Sequence, residues 1–124
     1  MNLQERIDAF AGLQTHIRLL EEQDKNLICE NARRENSWFS PESVLLSLEN
    51  ISTWLDKASL TSWAQGYTYA QNTRTVGLVA AGNIPLVGFH DLLCVLMAGH
   101  KASVKLSHQD SYLMRHMASL LVEV

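Results

Sequence analysis

Residues 75–107 read TVGLVAAGNIPLVGFHDLLCVLMAGHKASVKLS, and the changes of pattern inside this stretch decide the fold. Thr75-Val76-Gly77-Leu78-Val79-Ala80 is short, apolar and continuous, the pattern of a strand covered on both faces. Gly82-Asn83-Ile84-Pro85 breaks it. Pro85 has no N–H for a sheet ladder, but its fixed φ suits the first turn of a helix. A helix over about 85–98 is therefore predicted, with Leu86, Phe89, Leu93 and Leu96 on one side. Val87, Leu92, Val95 and Met97 widen that apolar surface. Gly99 supplies a left-handed stop, and His100 and Lys101 fall beside the last carbonyls. Ala102-Ser103-Val104-Lys105-Leu106-Ser107 predicts a second strand. Ser107 and Asp110 are alternative caps for a last helix carrying Leu113, Met117, Leu120 and Leu121. The order is βαβα, and a crossover of this length makes the two strands parallel.

Upstream the pattern is helical. Leu3, Ile7, Phe10, Ile17 and Leu20 recur at helical spacing within a predicted helix over 2–35, with Gln4, Glu5, Asp8, Glu21, Glu22 and Lys25 on its solvated face. A second start is marked by Ser40 as N-cap, Pro41 at the first helical position and Glu42 near the positive end of the dipole. Phe39 and Val44 stand at the two positions of a hydrophobic staple, and Val44, Leu48, Ile51 and Leu55 continue as a buried stripe. Trp54 and Trp63 are read as core or interface packing. Residues 66–73, GYTYAQNT, are a polar connection. The chain thus divides into a helical segment, 1–73, and the first half of a dinucleotide-binding domain, 74–124. The closing SLLVEV stops inside an apolar helical pattern without a Gly, Asn or Pro. Two parallel strands are also too few for a free-standing sheet. A piece of a longer protein is expected.

With 47% hydrophobic and 19% charged residues and a net charge of -3, the 124-residue chain has an ordinary globular composition. Nucleic acid is not an expected partner, because binding it needs clustered cations. The adjacent pair Arg33-Arg34 is flanked by Glu30 and Glu35. The first ten residues, MNLQERIDAF, do not form a signal peptide, and no apolar run reaches the roughly 20 residues of a membrane span. Cys29 and Cys94 form no CxxC pair, so neither a disulfide framework nor a zinc site is expected, and the cytosol is the expected compartment.

Ligands of open parallel sheets bind beyond the carboxyl ends of the strands. Two groups of residues fall there. Gly82 permits close backbone approach, and Asn83 brings an amide donor beside a predicted helix N-terminus, where an anion or developing oxyanion is favoured. Lys105 and Ser107 end the second strand, where a dinucleotide fold meets the adenosine ribose. Taken singly, each has a plainer reading: Asn83 serves its turn, Lys105 is solvated and Ser107 caps a helix. The GxGxxG fingerprint is missing.

In combination, the stretch resembles the LuxC-type acyl-CoA reductases, a branch of the aldehyde dehydrogenase superfamily. That superfamily has a strand ending in Asn, an aromatic or aliphatic residue and Pro, matched by Asn83-Ile84-Pro85. Its second strand ends in Lys-Pro-Ser-Glu, matched by Lys105-Leu106-Ser107-His108. The resemblance is sharp over residues 74–124 and unspecific before them. It implies an aldehyde-dehydrogenase-like Rossmann domain, incomplete here, in an enzyme that reduces a fatty acyl-thioester to an aldehyde through a cysteine acyl-enzyme. The implied partners are acyl-CoA or an acyl-protein thioester. By position, Asn83 would stabilise the oxyanion, and Gly82, Lys105, Ser107 and His108 would bind the cofactor. His108 stands where NAD-preferring relatives carry a carboxylate that repels a 2′-phosphate, so NADPH is expected over NADH.

The nucleophile and general base of that family lie downstream of these motifs, so the chain alone is expected to be inactive. Cys94 is read as a small core hydrophobe and Cys29 as incidental, neither with a His or Lys partner at readable spacing. His90 and Asp91 diverge by about 100° on a helix. His100, His108 and His116 lack metal-ligand spacing, and Met97, Met114 and Met117 read as core filler. Two alternatives stay open. One is a small interaction module that completes its sheet as a homo-oligomer, an assembly also expected of the enzyme piece. The other is a nucleotide-binding α/β protein without reductase chemistry.

Overall fold

A computed structural model describes residues 1–122 in full and the backbone of Glu123. Val124, on which the expectation of an unfinished last helix partly rests, lies outside the described residues. Within them the protein is mixed α/β and mostly helical: α1 (Leu3–Arg18), α2 (Glu22–Glu35), α3 (Pro41–Trp54), α4 (Lys57–Ala64), β1 (Thr75–Val79), α5 (Phe89–Met97), β2 (Lys101–Lys105) and α6 (Ser111–Glu123).

The predicted helix over 2–35 is two helices. α1 opens with a capping box between Asn2 and Glu5 and ends at Leu19. The chain then turns, and α2 begins with Glu22 and Asp24 in its first turn, where acidic side chains complement the helix dipole. The break lets both helices pack on α3. α3 starts as expected: Ser40 Oγ accepts from the Ser43 N–H at 3.2 Å, and Phe39 and Val44 are both buried. The stripe Val44, Leu48, Ile51 and Leu55 is buried too. α4 adds a helix beyond those the sequence pattern predicts, and Asp56 marks its start by accepting from the Ser59 N–H at 3.1 Å.

The two strands pair in parallel, from Thr75 opposite Lys101 to Val79 opposite Lys105. Each alternates between exposed and half-buried positions. Leu78, Ala102 and Val104 pack onto the core, and α5 lies against this inner face. Thr75, Gly77, Val79, Lys101, Ser103 and Lys105 form the outer face, where Val79 is 84% exposed. The expectation of cover on both faces is thus corrected among the described residues. An apolar run alone does not separate a strand covered on both faces from one covered on a single face.

α1 packs on α3, α4, α5 and α6, and one hydrophobic cluster joins residues from α1 through α6. Met97, Met114 and Met117 are buried in it. Trp54 and Trp63 are not core residues, at 43% and 37% exposure. Gly99 ends α5 with φ +88° as expected. The cation at that end is Arg6, whose Nε donates to the Met97 carbonyl at 3.3 Å. His100 instead turns Nδ1 to accept from the Arg74 N–H at 3.1 Å, and Lys101 begins β2.

Candidate functional site at the carboxyl ends of the strands

Past Val79 the ladder gains one more bond, from the Ala80 N–H to the Lys105 carbonyl at 3.0 Å. Two loops then leave the same end of the sheet, 80–88 and 106–110, and they touch. Gly82 is buried against Ser107: a Cβ built on it would lie 2.2 Å from Ser107 Oγ and 2.7 Å from Ser107 Cβ. Only glycine allows this approach. Ser107 itself lies just beyond β2, where its hydroxyl accepts from the Gln109 N–H at 3.2 Å. Of the site residues expected from the sequence, Gly82 and Ser107 are the pair brought into contact. Asn83 and His108 are exposed on the two loops, and Lys105 is exposed on the open face of the sheet beside Val79.

Asn83 does not adjoin a helix N-terminus. α5 begins at Phe89, four residues later than predicted. Between them Ile84-Pro85-Leu86-Val87 makes a turn closed by the Val87 N–H to the Ile84 carbonyl at 3.2 Å. Leu86 has φ +60°, which helical backbone forbids. Proline at the second position and a positive φ at the third are the marks of a type II turn. That third position normally holds glycine or asparagine, so a leucine there is strained by roughly 1–3 kcal/mol.

The partner that holds the strained residue is Asp110. Its Oδ2 accepts from the Leu86 N–H at 2.8 Å. Asp110 is 1% exposed, and its Oδ1 has no hydrogen-bond partner among the described residues. Burial pushes its pKa up to about 7. The Leu86 N–H works against this rise, the Glu35 carboxylate adds to it, and the Val87 N–H again opposes it. Neither Asp110 nor Ser107 caps α6 with its side chain. Glu35, from the end of α2, does so: its Oε1 accepts from the N–H groups of Ser111 at 2.6 Å and Tyr112 at 3.1 Å, and its Oε2 from the Ser111 hydroxyl. The sequence held one hint of this. An acid in the last turn of a helix is misplaced with respect to that helix's own dipole, and Glu35 is such an acid.

The cysteines exchange the roles expected of them. Cys29 is buried in the core, whereas Cys94 is half-buried. Cys94 Sγ lies 3.8 Å from His90 Nδ1, one turn earlier on α5, so contrary to expectation this thiol does have a His neighbour, at i, i+4 spacing. Burial and then the Asp91 carboxylate push the Cys94 thiol up, the wrong direction for a nucleophile. Cys94 also lines an apolar groove of about 390 Å³ with Trp63, Tyr67, Tyr69, Met97 and His100. That groove lies by the start of β2, at the opposite end of the sheet from Gly82. Among the described residues, no three His, Cys, Asp or Glu side chains gather as metal ligands, and no helix is long and apolar enough to cross a membrane.

The chain matches no protein-family model, no curated protein and no solved structure.

Proposed function

We propose that this chain is the cofactor-side part of an NADPH-dependent fatty acyl-thioester reductase built on an aldehyde-dehydrogenase-like domain. The observation that carries the reading is the contact of Gly82 with Ser107. It sets Asn83-Ile84-Pro85 and Lys105-Leu106-Ser107-His108 side by side at the carboxyl end of a parallel pair, where ligands of such sheets bind. In this reading Lys105, Ser107 and His108 hold the ribose and 2′-phosphate of NADPH. The Asn83 amide donates to the thiohemiacetal oxyanion, and the nucleophilic cysteine comes from elsewhere in the enzyme. Bound there, NADPH would supply the hydride that reduces the acyl-cysteine thioester to the aldehyde, with the cysteine thiolate as the leaving group.

The test uses the whole protein encoded by the reading frame that carries this chain. NADPH oxidation that depends on a fatty acyl-CoA and yields the aldehyde is expected. Asn83→Ala should lower kcat by about 10²–10³-fold, the usual effect of losing one oxyanion donor, with little change in NADPH affinity. His108→Glu should shift preference toward NADH. No aldehyde from any acyl-CoA would refute the reading.

A second reading rests on a different observation, the outer face and outer edges of the two-stranded sheet, which no other element covers or pairs among the described residues. A second copy of the chain pairing there would complete the sheet without enzymatic activity. Sedimentation equilibrium of the chain should then show a dimer, and a monomer at all concentrations would exclude it.

A further inference from the structure

We infer that Asp110 is a proton-controlled positioning residue: its buried neutral carboxyl clamps the strained turn at Leu86, and loss of the proton releases the turn and the Asn83 amide it carries. The importance of Asn83 rests on the reading proposed above, but the clamp itself does not.

Three geometric facts support it. First, the Leu86 N–H, at the one non-glycine residue with positive φ among those described, is bonded at 2.8 Å by a carboxyl oxygen from 24 residues away. The turn also lies in a confined place. A Cβ on Gly88 would meet the Ala80 side chain at 2.9 Å, so the chain just past the turn is packed closely against the end of β1 while the turn's middle is held by Asp110. Second, the clamp is closed to water: Asp110 is buried and its Oδ1 is unpartnered among the described residues. A neutral carboxyl tolerates such a place, whereas an ionised one loses its hydration there without full replacement. Third, a second carboxylate stands beside it. Glu35 is held on the first N–H groups of α6, which fixes its carboxyl group beside Asp110.

Glu35 is the charged group that reaches Asp110 from α2. Residues 80–88 contain no titratable side chain, and His108 on the adjoining loop is exposed. Along α6, Tyr112 is bonded through its hydroxyl by the Asn31 amide, and His116 stacks on the Tyr112 ring. Among the described residues, the charged group that shifts Asp110 is the Glu35 carboxylate. The rise of its pKa to about 7 places the transition near neutral pH. The sign follows from linkage: the clamped state keeps the proton more tightly than the released state, so raising the pH through the transition favours release.

The test is a titration by nuclear magnetic resonance of the chain between about pH 5 and 8.5, following the Asp110 carboxyl carbon, the Leu86 amide and the Asn83 side-chain amide. One shared midpoint near neutrality is expected. Asp110→Asn keeps the acceptor for Leu86 but cannot ionise, and should leave the Leu86 and Asn83 signals independent of pH over this range. Glu35→Gln should lower the midpoint. If Asp110→Asn fails to fold, the wild-type titration alone decides. An Asp110 carboxyl already ionised at about pH 5, as the ordinary carboxylate range near 4 requires, would overturn the inference. So would Leu86 and Asn83 signals that do not move with it, or that still titrate in Asp110→Asn. Because no cofactor or substrate is used, failure here is distinct from failure of the reductase reading.

Discussion

Two proline junctions in this molecule, 39–44 and 83–88, are built from similar parts and end differently. In the first, Ser40 caps, Pro41 follows and α3 begins at once, because the bonds that start the helix come from residues three positions apart. In the second, Pro85 is followed by a leucine at φ +60°. The helix is put off to Phe89, because the Leu86 N–H is taken by Asp110 from the other side of the sheet end. The lesson is physical. A helix starts where its first N–H groups are satisfied locally. Where a distant side chain takes one of them, the backbone can be held in a turn that its own sequence disfavours.

The largest effect that separates the junctions is a dependence on pH. The folded-state pKa of Asp110, about 7, is above its ordinary value of 3.8, so the native chain binds the proton more tightly than the unfolded chain. The stabilisation is complete below about pH 4 and is lost as the pH rises to about 7, by up to about 4 kcal/mol. Urea unfolding at a series of pH values should show this fall in the wild-type chain and not in Asp110→Asn. The capping residue of the first junction, Ser40, does not titrate in this range and has no counterpart to the effect.

A somewhat smaller loss is expected from Gly82→Ala. The added methyl would meet Ser107 at both Oγ and Cβ, an overpacking that costs about 2–3 kcal/mol. The double variant with Ser107→Gly should recover most of it, and a lack of recovery would mean that the loops do not meet as described. The smallest change belongs to the first junction. Ser40→Ala removes one cap bond and should cost about 1 kcal/mol at every pH, measured in the same urea series.

The same contrast explains what the sequence could and could not reveal. The buried stripe of α3, the parallel strands, the Gly99 stop and the placing of Gly82 and Ser107 at the same end of the sheet follow from periodicity, crossover length and glycine placement, whereas the contact between those two residues does not. The break between α1 and α2 was hidden because Leu20 and the residues after it still permit a helical reading. The exposure of Trp54 and Trp63, and the bare face of the sheet, depend on which elements come to cover them. Asp110 and Glu35 were the hardest to read. Asp110 has the spacing of a helix cap, yet its carboxyl is used on the far side of the turn, and Glu35 caps a helix 76 residues away. Beyond the misplaced charge of Glu35 in the last turn of α2, nothing in either residue's neighbours in sequence encodes that partnership.

We propose that the two loops at the carboxyl ends of β1 and β2 form the cofactor side of a reductase. Hydrogen exchange of the whole encoded protein, with and without saturating NADPH, tests it most directly. Protection concentrated at residues 82–83 and 105–108 is the result the account requires. Protection confined to other parts of the protein, with these residues unchanged, would contradict it.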